Sequence, residues 1–223
     1  VAILCTTSGT TSHPKPAMLT SQAFLGHAAE TLKVEPRTPA DEYVSVLPLP
    51  WIGEQVAIGQ WLLSRFRFNF CEEVETTAAD MREIAPSALL WPPRAWEAAA
   101  ADVNARMMDA SPIKRALFAF GLRLGYRALD RGRRAWLADV LVGRALRDRL
   151  GFSRLRYATT GGAPLGPDVF RFFRAIGVPL RQVYGQTELC GIYVMHRHEN
   201  VDFTTVGRPL DSVQLRIENP DRN

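Results

Sequence analysis

Apolar and polar residues along the chain follow two different periods. Segments 43–47, 66–70, 88–91, 155–158 and 180–184 are short apolar or alternating runs, most of them closed by proline or glycine, which predicts strands. Between them, 21–33, 52–64, 78–84, 94–108, 113–129, 134–150 and 167–175 repeat apolar positions at helical spacing. Strand and helix readings take turns, which predicts an α/β fold: a mostly parallel sheet with flanking helices. The opening run Val1-Ala2-Ile3-Leu4-Cys5 reads as a buried strand with nothing before it. Beyond Gly191 the helical period disappears. Short alternating segments there, the last at 213–217 before a turn at Asn219-Pro220-Asp221, predict a small β-rich annex over 191–223 that follows an α/β core over 1–190. Both ends read as cut, and the apolar surface such ends leave predicts self-association, for instance as a homodimer.

Composition narrows the class. With 223 residues, 47% of them hydrophobic, the chain can bury a sizeable core and disorder is not expected. No apolar run approaches the roughly 18 to 20 residues of a membrane-spanning helix, and no charged-then-apolar leader opens the sequence. A cytoplasmic location is the expectation. Cys5, Cys71 and Cys190 are far apart and form no paired spacing, so reduced thiols are expected rather than a disulfide framework or a zinc ribbon. The net charge of +4 conceals a local surplus: positions 114–156 hold twelve basic residues against Asp130, Asp139 and Asp148. Arg123, Arg127 and Arg131 recur every fourth residue, so they line one face of a helix whose other faces carry Leu117, Phe118, Phe120, Leu124 and Leu129. The plain reading is a solvated stripe. The alternative is contact with anionic lipid, at the inner face of a membrane, or with an acyl-CoA phosphate. No aromatic-interleaved basic motif points to nucleic acid.

Three loops carry candidate chemistry. Thr6-Thr7-Ser8-Gly9-Thr10-Thr11-Ser12-His13-Pro14-Lys15 offers backbone N–H groups, hydroxyls and one lysine to a polyphosphate, although it lacks the glycine spacing of a Walker loop. On chemistry alone a polar surface turn fits as well. Thr159-Thr160-Gly161-Gly162-Ala163-Pro164 lacks bulk, so backbone there could lie against a planar ring. Tyr184-Gly185-Gln186-Thr187-Glu188 stands at a predicted strand end, where parallel α/β sheets place ligands. Glu188 could supply an oxygen to Mg²⁺, Thr187 a hydroxyl, and Tyr184 a flat face for a base. An ordinary turn with an exposed glutamate is the plain alternative. His196 and His198 could mimic a metal pair, but a surface strand with no further ligands is the expected outcome.

Together the three loops resemble the AMP-forming adenylate ligase superfamily of acyl-CoA synthetases, luciferases and peptide-synthetase adenylation domains. Thr7 to Lys15 follow the family's TSGTTGxPKG loop, except that Ser12 stands for a glycine and Pro16 for the glycine after the lysine. Ser21 stands where a histidine is usual. The family's YGxTE is intact at Tyr184 to Glu188, and its GRP turn is Gly207-Arg208-Pro209. Trp91-Pro92-Pro93-Arg94-Ala95-Trp96-Glu97 is similar to the PPRxWE element of the long-chain branch, and the two helices over 112–150 to the insertion before its GGAPL loop. Leu47-Pro48-Leu49-Pro50-Trp51 resembles the border of the acyl pocket; for Trp51, Trp61, Trp91 and Trp96 a core position is the ordinary expectation, and the resemblance moves Trp51 to the pocket.

The resemblance implies a long-chain fatty acid–CoA ligase that uses ATP, a long-chain fatty acid and coenzyme A, with Mg²⁺. Thr7, Ser8, Gly9, Thr10, Thr11 and Lys15 would hold pyrophosphate, Glu188 and Thr7 the metal, and Gly162, Ala163 and Tyr184 the adenine. Gln182 would touch the nucleotide or face solvent, and Lys15, Thr187 and Glu188 would serve catalysis. The family's leading segment, ribose-binding acid, hinge and lysine-bearing domain are not within 1–223, so the chain alone is expected to be inactive. The other readings are an aryl- or short-chain-acid ligase and a nucleotide-binding or interaction homologue without turnover.

Overall fold

The computed structural model describes residues 1–7, 15–133, 135–197 and 201–218. Ser8, Gly9, Thr10, Thr11, Ser12 and His198 therefore lie outside the described residues. The chain opens with β1 (Ile3–Thr7) and β2 (Lys15–Leu19), which pair antiparallel as a hairpin apart from the main sheet. Then follow α1 (Ser21–Val34), β3 (Glu42–Ser45), α2 (Ile52–Ser64), β4 (Arg67–Phe70), α3 (Thr77–Ile84), β5 (Ala88–Trp91), α4 (Pro93–Met108) and α5 (Pro112–Asp130). A continuous helical stretch comprises α6 (Trp136–Ala138), a π-turn (Asp139–Gly143) and α7 (Arg144–Leu150). The last elements are β6 (Tyr157–Thr160), α8 (Pro167–Ala175), β7 (Leu180–Gln186), a 3₁₀ turn (Thr187–Leu189), β8 (Gly191–Met195) and β9 (Arg208–Pro209).

The main sheet has the order β4-β3-β5-β6-β7-β8-β9; neighbours from β4 to β7 run parallel, and β8 and β9 add on antiparallel. Helices cover both faces, as the near-continuous apolar sequence of β5 requires. Side chains alternate between two cores. Val44, Leu89, Ala158 and Leu180 point to the larger one, with Trp96, Phe152, Phe170 and Phe173 from the helices and loops of that side. Tyr43, Ala88, Leu90 and Tyr157, one residue out of phase, point to the other with Ala57 and Phe66. On that second side α1 and α2 pack together, with the ring of Phe24 and Ala28 against Gly59. On the first side α5 approaches α8 and the π-turn through Gly125 and Gly121, where a Cβ would collide with the carbonyl of Ala175 and the side chain of Val142.

Several expectations change. The opening strand is not buried: Leu4 is exposed and only Cys5 is sealed, because β1 pairs with β2 in a two-stranded hairpin outside the main sheet. β2 has no counterpart in the sequence reading, since its pairing with β1 is set by contacts across the 8–14 segment. Val213 to Ile217 is not a strand; Leu215 and Ile217 are exposed, and no described strand pairs with them. Leu117 and Phe120 face outward rather than into the core, whereas Phe118 and Leu122 pack inward beside the two glycines. Trp61 is exposed and Trp91 partly so, and of the three tryptophans left with a core expectation only Trp96 is sealed, at 0% exposure.

Trp96 is ringed by Trp91, Phe152 and Phe173 with centroids 4.9–5.5 Å away. Trp96→Ala removes the centre of this aromatic cluster and is expected to lower stability by about 3–5 kcal/mol. Urea unfolding monitored by circular dichroism measures it; a loss below about 1 kcal/mol would mean that the cluster closes over the gap.

Candidate active site

The ends of four parallel strands meet at one open cleft of about 1030 Å³. β5 contributes Leu90 and Trp91, followed by Pro92; the loop after β6 contributes Gly161 and Gly162; β7 contributes Val183, Gly185 and Gln186. The segment after β3 brings Leu47, Pro50 and Trp51, and α2 begins there with Ile52 and Gly53. Thr6 and Thr7 enter from the hairpin, Thr187 and Glu188 from the 3₁₀ turn. This placement follows from parallel topology: chain segments leave every such strand at the same edge, where side chains and free backbone groups converge.

Two walls of different character result. Thr7, Thr187 and Glu188 form a polar side, with Glu188 exposed on its turn and the Thr7 hydroxyl donating to the Lys15 carbonyl at 3.1 Å. Leu47, Trp51, Ile52, Leu90 and Trp91 form an apolar side. Trp51 is 55% exposed and lies on the cleft, not in the core. Pro16 takes the register position opposite Thr6, and its missing N–H is tolerated because a two-stranded hairpin leaves outer edges unpaired.

The remaining expected residues are placed less directly. Tyr184 is half-exposed beside the cleft, edge-on to Tyr193 at 5.4 Å. Ala163 is exposed and Lys15 lies exposed at the start of β2; neither forms the cleft wall. Gln182 is buried, neither facing solvent nor lining the cleft. Its Oε1 accepts from the Leu165 backbone N–H at 3.4 Å, which fixes the loop bearing Gly161 and Gly162 from below. β7 also extends through Gln186, so the YGQ part of the motif lies within a strand.

His196 corrects the expectation of a surface strand, since it is 0% exposed. The Gln182 backbone N–H donates to its Nδ1 at 3.0 Å, and Nε2 faces the Thr205 hydroxyl at 3.3 Å. Accepting at Nδ1 requires the neutral ring with hydrogen on Nε2. Among the described residues no group of three His, Cys, Asp or Glu could hold a metal ion, and the second member of the pair considered in the sequence, His198, lies outside them.

Glu54 was missed by sequence reasoning. It is fully buried at the third helical position of α2 and accepts from the Tyr43 hydroxyl at 2.9 Å. Burial raises its carboxyl pKa, while hydrogen bonds from Ser45, Tyr43 and the Leu47 backbone pull it down. Gln55 donates to the Leu49 carbonyl at 2.6 Å, so the start of α2 holds the cleft-lining 47–51 segment at two points. A glutamate in the first turn of a helix is the available signal, which helix-end electrostatics alone explains without implying burial.

Mg²⁺ fits the polar wall on donor chemistry. This ion commonly takes one or two carboxylate or hydroxyl oxygens from protein, with water and phosphate oxygens completing its shell, so it needs no cluster of acidic residues. Glu188 and Thr7 meet that requirement.

The profile of a family described as AMP-binding enzyme matches residues 1–223. Long-chain-fatty-acid–CoA ligase ACSBG2 of Xenopus laevis is 28% identical over 232 residues, covering 96% of this chain and 31% of the relative. Long chain acyl-CoA synthetase 3 of Arabidopsis thaliana is 28% identical, covering 98% and 34%. The chain thus spans about a third of the length of these curated relatives. Among solved structures, o-succinylbenzoate CoA synthetase (MenE) from Bacillus subtilis, in complex with the acyl-adenylate intermediate OSB-AMP, superposes with a TM-score of 0.67 at 19% identity, over 96% of this chain and 36% of that one. At that identity the match establishes the fold.

His196 makes stability depend on pH. Burial lowers its pKa below the ordinary 6.5, Arg174 and Arg181 push the same way, and Asp202 opposes them. The unfolded chain therefore takes up the proton first as pH falls: the contribution is complete above about pH 6.5 and is lost as pH drops through the folded value. His27, held against the Ile192 carbonyl and lowered mainly by burial, acts with the same sign. The expected result is a shallower decline of stability below about pH 6.5 for His196→Gln than for wild type in urea titrations. Parallel declines would remove His196 from the account.

Proposed function

The chain belongs to the AMP-binding enzyme family, and on that premise we propose that it is the nucleotide- and acid-binding part of a long-chain fatty acid–CoA ligase. The observation that carries this reading is the cleft itself: phosphate-compatible hydroxyls and a carboxylate face an apolar wall across a single space. A carboxylate is a poor electrophile. Its oxygen attacks the α-phosphorus of ATP, the bond to pyrophosphate breaks, and the acyl group becomes a mixed anhydride with AMP. The thiol of coenzyme A then attacks the carbonyl carbon, and AMP leaves with the bonding electron pair.

In this reading Thr7 and the 8–15 segment hold the leaving pyrophosphate, with Lys15 adding positive charge. Gly162, Ala163 and Tyr184 frame the adenine. Thr187 bonds a phosphate oxygen. Mg²⁺, held by Glu188 and Thr7, would neutralise phosphate charge. Leu47, Trp51 and Leu90 exclude water from the acid. The names of the curated relatives support a long-chain acid, as do the α5–α7 helices and the wide apolar wall. A second reading, an aryl acid, is favoured by the flat rings of Trp51 and Trp91 on the cleft and by the fold match to MenE.

Acids of increasing length, given to the full-length protein in an ATP–pyrophosphate exchange assay, separate the two. Each buried methylene is worth about 0.8 kcal/mol, so kcat/KM should climb about fourfold per methylene until the wall is covered. A maximum at benzoate would favour the second reading, and a maximum at acetate would count against both. Glu188→Gln should depress exchange by about tenfold or more, or about 1.4 kcal/mol in the barrier. Exchange within about threefold of wild type would eliminate the metal role of Glu188.

A further inference from the structure

The helical stretch between β5 and β6 leaves a face that the cleft does not use. Gly121 and Gly125 set α5 inward, with Phe118 and Leu122 beside them. The opposite side of α5 is then outward along its whole length, and its two halves differ. Ile113 and Phe120, seven residues apart, lie on that side in the first half and are 81% and 52% exposed. Arg123 and Arg127, followed by Arg131 at the end of the helix, occupy the outward side of the second half. After Asp130 the chain turns back along α5, with Val142 and Leu141 against Gly121. That return places Trp136, 69% exposed, Leu137 and Val140 on the neighbouring outward surface. In this segment Ala138, Val142 and Gly143 face inward.

Charge is arranged to match. Asp130 is taken by Arg171 at 2.6 Å, and Asp139 by Arg147 at 2.6 Å and Arg144 at 3.1 Å. Two of the three acidic residues of the region are therefore engaged. Among the described residues, Arg123, Arg127 and Arg131 form no ion pair with one another's neighbours or elsewhere. The face thus combines large apolar side chains, an indole and unneutralised guanidinium groups. Aromatic and aliphatic groups at the headgroup boundary, with long cationic side chains reaching phosphates, are how a helix lies in a membrane interface. Among the described residues no helix is long and apolar enough to cross a membrane, so this contact is superficial.

We propose that the outward face of α5 and the 136–140 segment docks on an anionic lipid bilayer surface. Trp136, Phe120 and Ile113 enter the acyl boundary, and Arg123, Arg127 and Arg131 bind lipid phosphates. A second copy of this chain is a poorer match, because an isologous pairing of this face would set the arginine rows of both copies close together. The proposal rests on the geometry of this helical stretch and is independent of the acid the cleft takes.

The test is co-sedimentation of the full-length protein with vesicles of phosphatidylcholine alone and of phosphatidylcholine mixed with phosphatidylglycerol, at low and high salt. Wild type should bind the anionic vesicles, less well at high salt, and Trp fluorescence should shift to the blue on binding. The double variant Phe120→Ser/Trp136→Ser should lose about tenfold or more of that binding and the blue shift, while ATP–pyrophosphate exchange without vesicles stays unchanged. The triple variant Arg123→Gln/Arg127→Gln/Arg131→Gln should lose the preference for anionic over neutral vesicles. Far-ultraviolet circular dichroism confirms that each variant folds. Absence of wild-type binding, binding unaffected by both variants, or a dimer in sedimentation equilibrium that Phe120→Ser/Trp136→Ser dissociates would each overturn the proposal. Loss of exchange with every acid would count against the ligase reading instead and leave the vesicle result standing.

Discussion

β7 must satisfy two neighbours of opposite direction. Along one edge Leu180, Arg181 and Gln182 pair parallel with β6; along the other, Val183 to Gln186 pair antiparallel with β8. The register shifts between Tyr184 and Gly185, and there the backbone of Gly185 lies against that of Gly191, which adopts φ +114°. A Cβ on Gly185 would overlap the Gly191 carbonyl. This close approach lets β7 run on past the parallel sheet and end in the 3₁₀ turn that presents Thr187 and Glu188. Every other wall of the cleft is placed relative to that strand. β6 is its neighbour, β5 the next, and the hairpin β1–β2 reaches the same turn from outside the sheet.

Beneath this edge the sheet carries buried charge. Arg181, with no exposed surface, faces Glu35 at 3.3 Å, and Glu35 also faces Arg37 at 3.6 Å. The guanidinium of Arg37 lies over Tyr43 and Phe66, and that of Arg181 over Tyr157. Such groups gain little net stability, because desolvation offsets most of their attraction. Their effect is on registration: the segment after α1 is tied to β7, and removing one partner strands the others in an apolar surrounding. Asp41 does the same at the other end of the strands, accepting from Ser87 at 2.7 Å and pairing with Arg156 at 3.1 Å.

The cleft derives its chemistry from what these ties converge. The Glu188 carboxylate and the Thr187 hydroxyl come from a short turn and the Thr7 hydroxyl from the end of a hairpin strand, and the apolar wall comes from side chains that the strands and α2 would otherwise bury. Leu90 shows both sides of this, since it belongs to the second core and also borders the cleft. A ligand that is charged at one end and apolar at the other therefore meets each wall without rearranging the core. Gln182 and His196 support this from below. They bond each other through two backbone-involving contacts and hold the loop of Gly161 and Gly162 by a third.

The amino-acid sequence alone determined the alternation of strands and helices, because burial of a parallel strand on both faces demands a short apolar run and a covering helix demands its own period. α2, β5 and α8 coincide with their expected bounds for that reason, helped by proline and glycine at their ends. It also placed Thr187 and Glu188 beside the loop of Gly161 and Gly162, since both segments follow strands whose ends share an edge. Only the tertiary structure decided what depends on a partner distant in sequence. β2 exists through its pairing with β1; Gln182 and His196 are buried because β8 pairs back along β7; Phe120 is exposed because two glycines turn the opposite side of α5 inward. Periodicity states which residues share a face, and the neighbour across the contact determines whether that face is covered.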